Sequence, residues 1–446
     1  MAARAPGGLG TQPRRARSAR GRAALWLAAL AALASGAAGC GPGAEPPGVV
    51  TVRLVVWRPD IPEAWERALA LFHARHPGIR VVRELGPSSS SELHALLTQK
   101  LRNRDRSVDA FIMDVVWAAE LALAGWALPL DERLPPAERE RFFPAAIEAV
   151  TVEGRLYGVP FNTDAGLLYY RKDLLAAAGL EPPETWPELV AHAEAARAAA
   201  RAAGLPGAAG IYGYSGQFRQ YEGLVCNMLE FIRSHGGRLT APDEPPALAA
   251  VAFVRDRIIG GAAPRGALTW AEQESLEVFK SGGAVFLRSW PYAWAVLQDP
   301  AQSAVAGRVG IAPLPRFEGG PSTSCLGGWS FGIHRASRHP EQAWAVVRFL
   351  TSPEVQRLFA VLAGKAPARR ALYADPEVLA ANPHFAALRP VFERAVPRPR
   401  SPIYPQISYI LQRYLHAALS DPASDLPALA QQARRRLERA RARLGR

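Results

Sequence analysis

The chain has 446 residues, of which 49% are apolar and 21% charged, and it carries a formal net charge of +13. That length exceeds one ordinary domain and is ample for two hydrophobic cores, and such a composition excludes a disordered body. The basic excess does not describe a nucleic-acid-binding surface: residues 1–40 hold six arginines and no acid, residues 431–446 hold seven arginines and one glutamate, and the remainder nets +1. Arg434, Arg435 and Arg436 read as one solvated helix face.

The N-terminal segment has a targeting pattern. Arginines run from Arg4 to Arg22, an apolar run covers 23–34, and small residues Ala37, Ala38 and Gly39 lead to Cys40. The apolar run is too short to span a bilayer, so 1–39 reads as a secretory signal peptide. Its end resembles a bacterial lipobox, with Ala37 where leucine is usual. Cys40 is therefore expected to be the lipidated first residue of the mature chain, and the Pro/Gly-rich 40–48 its tether. No later stretch has the length and apolarity of a transmembrane helix. The expected product is exported and lipid-anchored, facing the periplasm or the cell exterior. Export would put Cys226 and Cys325 in an oxidising compartment, where a disulfide between them is an open possibility.

Residues 49–57 alternate like a strand, and Trp65, Leu69 and Phe72 follow at helical spacing. A second strand covers 79–84, Leu93, Leu96, Leu97 and Leu101 mark a second helix, and a third strand over 108–113 ends at Asp114. This β-α-β-α-β order requires parallel strands with helical crossovers. Ligands of such sheets bind beyond the carboxyl ends of the strands. Asp114 stands at one such end, and Glu63 lies in the connection after the first strand, on the same edge. Further strands are expected at 157–160, 167–170, 284–287 before Trp290, from Val309 onward, and at 329–333. Further helices are expected at 189–203, closed by Gly204, and at 218–234, around 340–362 and 404–419. The fold class is α/β. Trp65, Trp126 and Trp344 read as core residues, whereas Trp290 and Trp329 each follow a strand and adjoin a Pro or Gly breaker, which suits a cleft edge.

Phosphate loops, GxGxxG turns, HExxH and CxxC are all missing from the sequence. His73 and His76 share a helix face without companions for a metal site. No cofactor or metal is expected. Glu63, Asp114 and Asp164 could make a glycosidase pair, but carboxylates serve equally as strong acceptors for sugar hydroxyls.

Seven segments occur in order: DAFIMDVVWAAELALAGWALPLD, YGVPFNTDAGLLYYRKDLL, YEGLVCNMLEFIRSHGG, FKSGGAVFLRSWPYAW, GIAPLPRFEGG, LGGWSFGIHRASRHPEQAWAVVRFLTSPEVQ and RPRSPIYPQISYILQRYLHAALS. Together, over roughly 50–440, the chain resembles the extracellular solute-binding proteins of carbohydrate ABC importers, most of all the trehalose/maltose-binding branch. The resemblance implies a two-lobed periplasmic-binding-protein type II fold with a hinge between the lobes. The first lobe would hold 49–160 and 331–363, and the second 161–325 and 370–446. Hinge crossings would fall at 326–330 and 364–369, with another near 160–162. The implied function is capture of a di- or oligosaccharide, by a monomer without catalytic activity, for import by membrane permease subunits. A same-fold binder of another solute, such as a polyol or glycerol phosphoester, is the alternative, and a secreted carbohydrate-active enzyme a third. Carried over by motif, Glu63, Asp114 and Asp164 would accept bonds from sugar hydroxyls, and Asn162 stands where relatives often have tyrosine. Trp290 and Tyr292 would form the second lobe's aromatic platform, and Gly327 and Trp329 the hinge edge. Arg369, or Arg370 one register on, would be the cleft arginine, and one serine of 88–91, Ser88 in preference, would touch the ligand.

Overall fold

The computed structural model describes residues 48–57, 62–205 and 207–444. The expected signal peptide, Cys40 and the tether up to residue 47 lie outside the described residues. From Val50 onward the described chain forms a five-stranded and a four-stranded sheet with separate cores, and a two-stranded hairpin besides.

The first sheet begins as the periodicity predicts. Strand β1 (Val50–Val56) leads through helix Pro62–Arg75 to β2 (Ile79–Leu85), and through helix Ser90–Arg102 to β3 (Ala110–Asp114). β1 pairs in parallel with both β2 and β3. Leu93, Leu97 and Leu101 form the buried stripe of the second helix, whose start is capped by the Ser89 hydroxyl accepting from the Glu92 N–H. Trp65 is buried against Phe161, Phe331 and Phe359, and Trp126 and Trp344 pack partly buried on the same core. The His73 ring nitrogen Nε2 accepts the Val81 N–H at 3.1 Å, tying helix to strand.

A short hairpin, β4 (Thr151–Val152) and β5 (Arg155–Leu156), precedes β6 (Val159–Ala165) and β7 (Leu167–Arg171). Then come β8 (Tyr212–Ser215), β9 (Ala284–Ser289), β10 (Val309–Ala312) and β11 (Leu326–Ile333). The first sheet runs β2-β1-β3-β11-β6 and the second β10-β7-β9-β8. In β7, Leu168 faces one apolar layer while Leu167 and Tyr169 face the other, as the two-residue period requires. Helices Tyr404–Ser420 and Leu426–Leu444 close the first of these layers. The latter buries Ala430, Ala433, Leu437 and Ala440 and turns most of its arginines to solvent; Arg434 pairs with Glu438 at 2.7 Å.

Two strands belong to both cores. β6 places Val159 and Phe161 in the core of the first sheet and Ala165 in a core of the second. Its antiparallel partner β11 starts with Leu326 in the latter and continues with Trp329, Phe331 and Ile333 in the former. Residues 364–369 run beside them, with the Thr163 N–H donating to Ala366 O at 3.0 Å and a bridge between Asn162 and Pro367. Gly328, at φ +132°, stands next to the register shift in β11, and a Cβ there would lie 2.6 Å from Asn162 O.

The second sheet is anchored by a buried ion pair. Arg288 on β9 meets Glu230 of helix Glu222–Ser234 through two hydrogen bonds, at 2.5 and 2.8 Å, with almost no solvent access to either. Burial pushes the Glu230 carboxyl upward, and Arg288 pulls it back. Glu230→Gln should cost about 3–5 kcal/mol of stability, because Arg288 would remain buried without its counter-charge. Urea denaturation followed by tryptophan fluorescence measures this, and an unchanged midpoint would show that the pair is not an anchor.

Candidate functional site

The carboxyl ends of β3 and β9 and the start of β11 converge on one cavity. One wall is aromatic and comes from the first sheet. Trp57, just after β1, stacks on Trp329 with centroids 5.0 Å apart and planes at 18°, and Trp117 meets Trp329 edge-on at 5.7 Å. The Trp57 indole N–H donates to Ser88 O at 3.0 Å, which fixes its tilt. The facing wall follows β9. Trp290 lies on the Arg288 guanidinium, 3.9 Å from the ring centroid, and the Tyr169 hydroxyl donates to Trp290 O at 2.8 Å. Between the walls, a Cβ on Gly327 would come 3.0 Å from the Trp290 ring and 3.1 Å from Asp164, so a side chain here would press on both.

Charged groups complete the lining: Asp114, Asp164, Glu222 and Glu272 against Lys365 and Arg398. Arg398 is almost fully buried. It donates to both oxygens of Asp114, at 2.6 and 3.4 Å, and to Glu222 Oε1 at 2.7 Å. Its Nε is buried without a hydrogen-bond partner. Asp164 accepts from Asn162 Nδ2 at 2.9 Å. Burial pushes the Asp164 carboxyl up to about 7, against the pull of Lys365 and the Asn162 bond and with the help of the Asp114 charge. With Arg398 across it, the cavity holds only about 50 Å3. No group of acids, histidines and cysteines among the described residues could hold a metal ion.

Residues 58–357 match the family of bacterial extracellular solute-binding proteins. The chain belongs to this family. A probable ABC transporter-binding protein of Deinococcus radiodurans is 36% identical over 355 residues, covering 77% of this chain and 82% of the relative. The maltose-bound MalE3 of T. maritima superposes with a TM-score of 0.82 at 36% identity, over 88% of this chain and 100% of that one. A solute-binding protein from Agrobacterium radiobacter K84 in complex with ribitol superposes at 0.78 with 23% identity, over 89% and 100%. The molecule is thus a two-lobed binding protein of the MalE type, and not an enzyme.

In this solute-binding protein, seven of the residues singled out by sequence line one cavity: Ser88, Asp114, Asp164, Trp290, Tyr292, Gly327 and Trp329. Asn162 sits behind the wall, where it orients Asp164. Two expectations are corrected. Glu63 is exposed in the first turn of helix Pro62–Arg75, pairs with Arg67 at 3.3 Å and does not line the cavity; it serves the helix start. Arg369 is not the cleft arginine. Residues 368–370 pair with 141–143, which holds Arg369 over the Phe142 ring and bonds it to Glu138 and Thr351 O, away from the cavity. Arg370 binds Glu140 O at the surface. The cleft arginine is Arg398, the first residue of the RPRSPIYPQ segment. Cys226 and Cys325 are buried free thiols; Cys226, hydrogen-bonded to Cys325 and desolvated, sits well above the usual thiol range. Trp57, Glu222, Glu272 and Lys365 escaped the sequence reading. Glu222 had one signal, its place in the YEGLVC segment at a helix start.

The position of Asp164 has a pH signature. Its folded-state carboxyl titrates near 7, above the ordinary value of 3.8, so the folded chain holds this proton over a range where the unfolded chain has lost it. Stability from this group is present at low pH and falls as pH rises from about 4 through 7. Asp164→Asn removes that slope. Thermal melts at pH 5 and 8 should show the variant gaining on the wild type as pH rises, by about 1.4 kcal/mol for each pH interval of one over which only the folded chain keeps the proton. A gap that is constant with pH would refute the burial of this carboxyl.

Proposed function

We propose that this solute-binding protein is the sugar-capturing component of an ABC importer, taking a neutral di- or oligosaccharide of the maltose or trehalose kind. The observation that carries this reading is the lining of the cavity. Indole rings face it from both sides, Trp329 from the first sheet and Trp290 from the second, with carboxylates and one guanidinium around them. Indoles suit the C–H faces of pyranose rings, and charged acceptors and donors suit the hydroxyl rim. The buried Arg398 Nε lacks an acceptor, which a ligand oxygen would supply. Asp114, Glu222 and Glu272, with Asp164 titrating near 7, outnumber Lys365 and Arg398 and leave the lining net negative, which disfavours an anionic phosphoester. Likeness to the maltose-bound MalE3 supports the same solute class.

Ligand sites typically enclose about 300–1,000 Å3, far more than the 50 Å3 present here, so entry requires the walls to part. The segments that run together between the two cores, β6, the start of β11 and 364–369, are the proposed hinge. On this reading 49–160 with 331–363 moves against 161–325 with 370–446, and the closed form presents itself to the permease. Lipidation of Cys40 would hold the protein at the membrane that carries the permease.

Calorimetry with maltose, trehalose, mannitol and glycerol 3-phosphate tests the solute class; heat with the phosphoester alone would overturn it. Trp290→Ala should weaken sugar binding about tenfold or more, since a few tens of Å2 of covered apolar surface are worth about 1 kcal/mol or more. If Trp290 only packs the core, the variant will instead lose stability while its affinity holds. Mass spectrometry of the membrane fraction should show an acylated N-terminal Cys40, and a soluble mature chain with another first residue would exclude the anchor.

A further inference from the structure

At the end of the first sheet opposite the cleft, β3 starts and β11 ends beside the middle of β1. There a pocket of about 350 Å3 opens between the loop before β3 and the turn before helix Pro340–Leu350. Three arginines line it, each from a different segment: Arg53 on β1, Arg106 in that loop and Arg338 in that turn. All three are exposed, and among the described residues none of their guanidinium groups has an ion-pair or hydrogen-bond partner. The one carboxylate of the lining is already engaged. Asp109 is buried; its Oδ2 accepts the Arg53 N–H at 2.8 Å and its Oδ1 accepts the Ser337 hydroxyl at 2.6 Å. Ser337 Oγ in turn accepts the His339 N–H at 3.0 Å. These bonds fix the three segments to one another and leave the free charges of the pocket all positive.

Three guanidinium groups gathered without a counter-charge repel one another. Each is a planar fork of donors that matches the paired oxygens of a phosphate. A polyoxygen anion relieves the repulsion, and 350 Å3 falls within the roughly 300–1,000 Å3 of small-ligand sites. The place of the pocket selects the source of that anion. Val50, the first residue of β1, is at this same end of the sheet, so the tether joins the fold here. The chain from Cys40 to Val50 reaches at most about 35 Å. The seven residues of β1 carry the cleft about 23 Å further from that junction. With Cys40 lipidated, the arginine pocket is thus the end of the lobe held within reach of membrane headgroups.

We infer that this pocket is a docking site for the phosphate headgroup of an anionic phospholipid, held by Arg53, Arg106 and Arg338, which seats the first lobe on the bilayer with its cleft turned away. The choice of a lipid rests on the reading of Cys40 as an anchor, but its test does not use the anchor. Residues 41–446 keep every strand and core described above. This form is sedimented with vesicles of phosphatidylcholine alone and of phosphatidylcholine mixed with phosphatidylglycerol. It should bind the mixed vesicles only. Arg106→Glu and Arg338→Glu should each weaken that binding about fivefold or more, the worth of one basic residue near an anionic surface. Arg436→Glu, an equally exposed arginine on helix Leu426–Leu444, should change it by less than about twofold. Neither pocket arginine has a partner to lose, and melting temperatures report the folding of all three variants. The lipid site is overturned by binding to both kinds of vesicle alike or to neither. It is overturned equally by a matching loss in Arg436→Glu, which would make the effect one of overall charge. Calorimetry with inorganic phosphate separates the last case: phosphate bound by the wild type and lost in the pocket variants, with vesicles ignored, would make this a site for a free anion and not for a lipid. An unmodified Cys40 in the mass spectrum would remove the anchor and leave the vesicle result standing.

Discussion

Arg288 and Glu230 meet with almost no access to solvent, and three parts of the molecule are set by that contact. The guanidinium is the surface on which Trp290 rests. The carboxylate accepts the Cys325 N–H at 3.0 Å, which fixes the chain as it enters β11. Gly166, between β6 and β7, lies so close that a Cβ there would stand 2.0 Å from Glu230 Oε1. Aromatic platform, shared strand and the turn between the two sheets therefore depend on one buried pair. Desolvating two charges is costly, and the pair persists because further bonds satisfy both: Gln217 accepts from Arg288 at 3.3 Å while Cys325 donates to Glu230.

The cleft uses the same device with a different outcome. Arg398 is as deeply placed as Arg288, but its partners come from separate parts of the fold: Asp114 at the end of β3, and Glu222 at the start of a helix packed on the second sheet. Burial opposes its charge, and Asp114 above all holds it in place. The proposed opening of the walls would separate these carboxylates, so Arg398 must give up at least one of them or travel with one. A polyhydroxyl ligand is suited to that exchange, because its hydroxyls can accept from the guanidinium and donate to the carboxylates.

Much of the fold was legible. The four-residue recurrence of Leu93, Leu97 and Leu101 gives a helix with one apolar stripe, and the apolar 108–113 run gives a buried strand ending at Asp114. Both are local patterns with a local cause. The site was legible where a residue terminates such an element, as Asp114 and Trp290 do, or where a motif fixes its register, as with Asp164 and Trp329. Glu63 failed because a carboxylate in a first helical turn has a sufficient reason to be there, a neighbouring arginine four residues on. Arg369 failed because two arginine-containing segments follow the last crossing, and only their pairing partners distinguish them: 368–370 run against 141–143, whereas Arg398 lies between Asp114 and Glu222.

The sequence by itself determined the α/β class, the parallel β-α-β-α-β start of the first sheet, and the family to which the chain belongs, since period, element order and motif order are properties of neighbours along the chain. Only the tertiary structure decided the order β2-β1-β3, that Trp57 stacks on Trp329 across 272 residues of chain, and that Arg398 rather than Arg369 enters the cleft. Each of these is a contact between segments far apart in sequence. Its energy comes from desolvation and pairing that exist only once both cores have formed, so no local pattern records it.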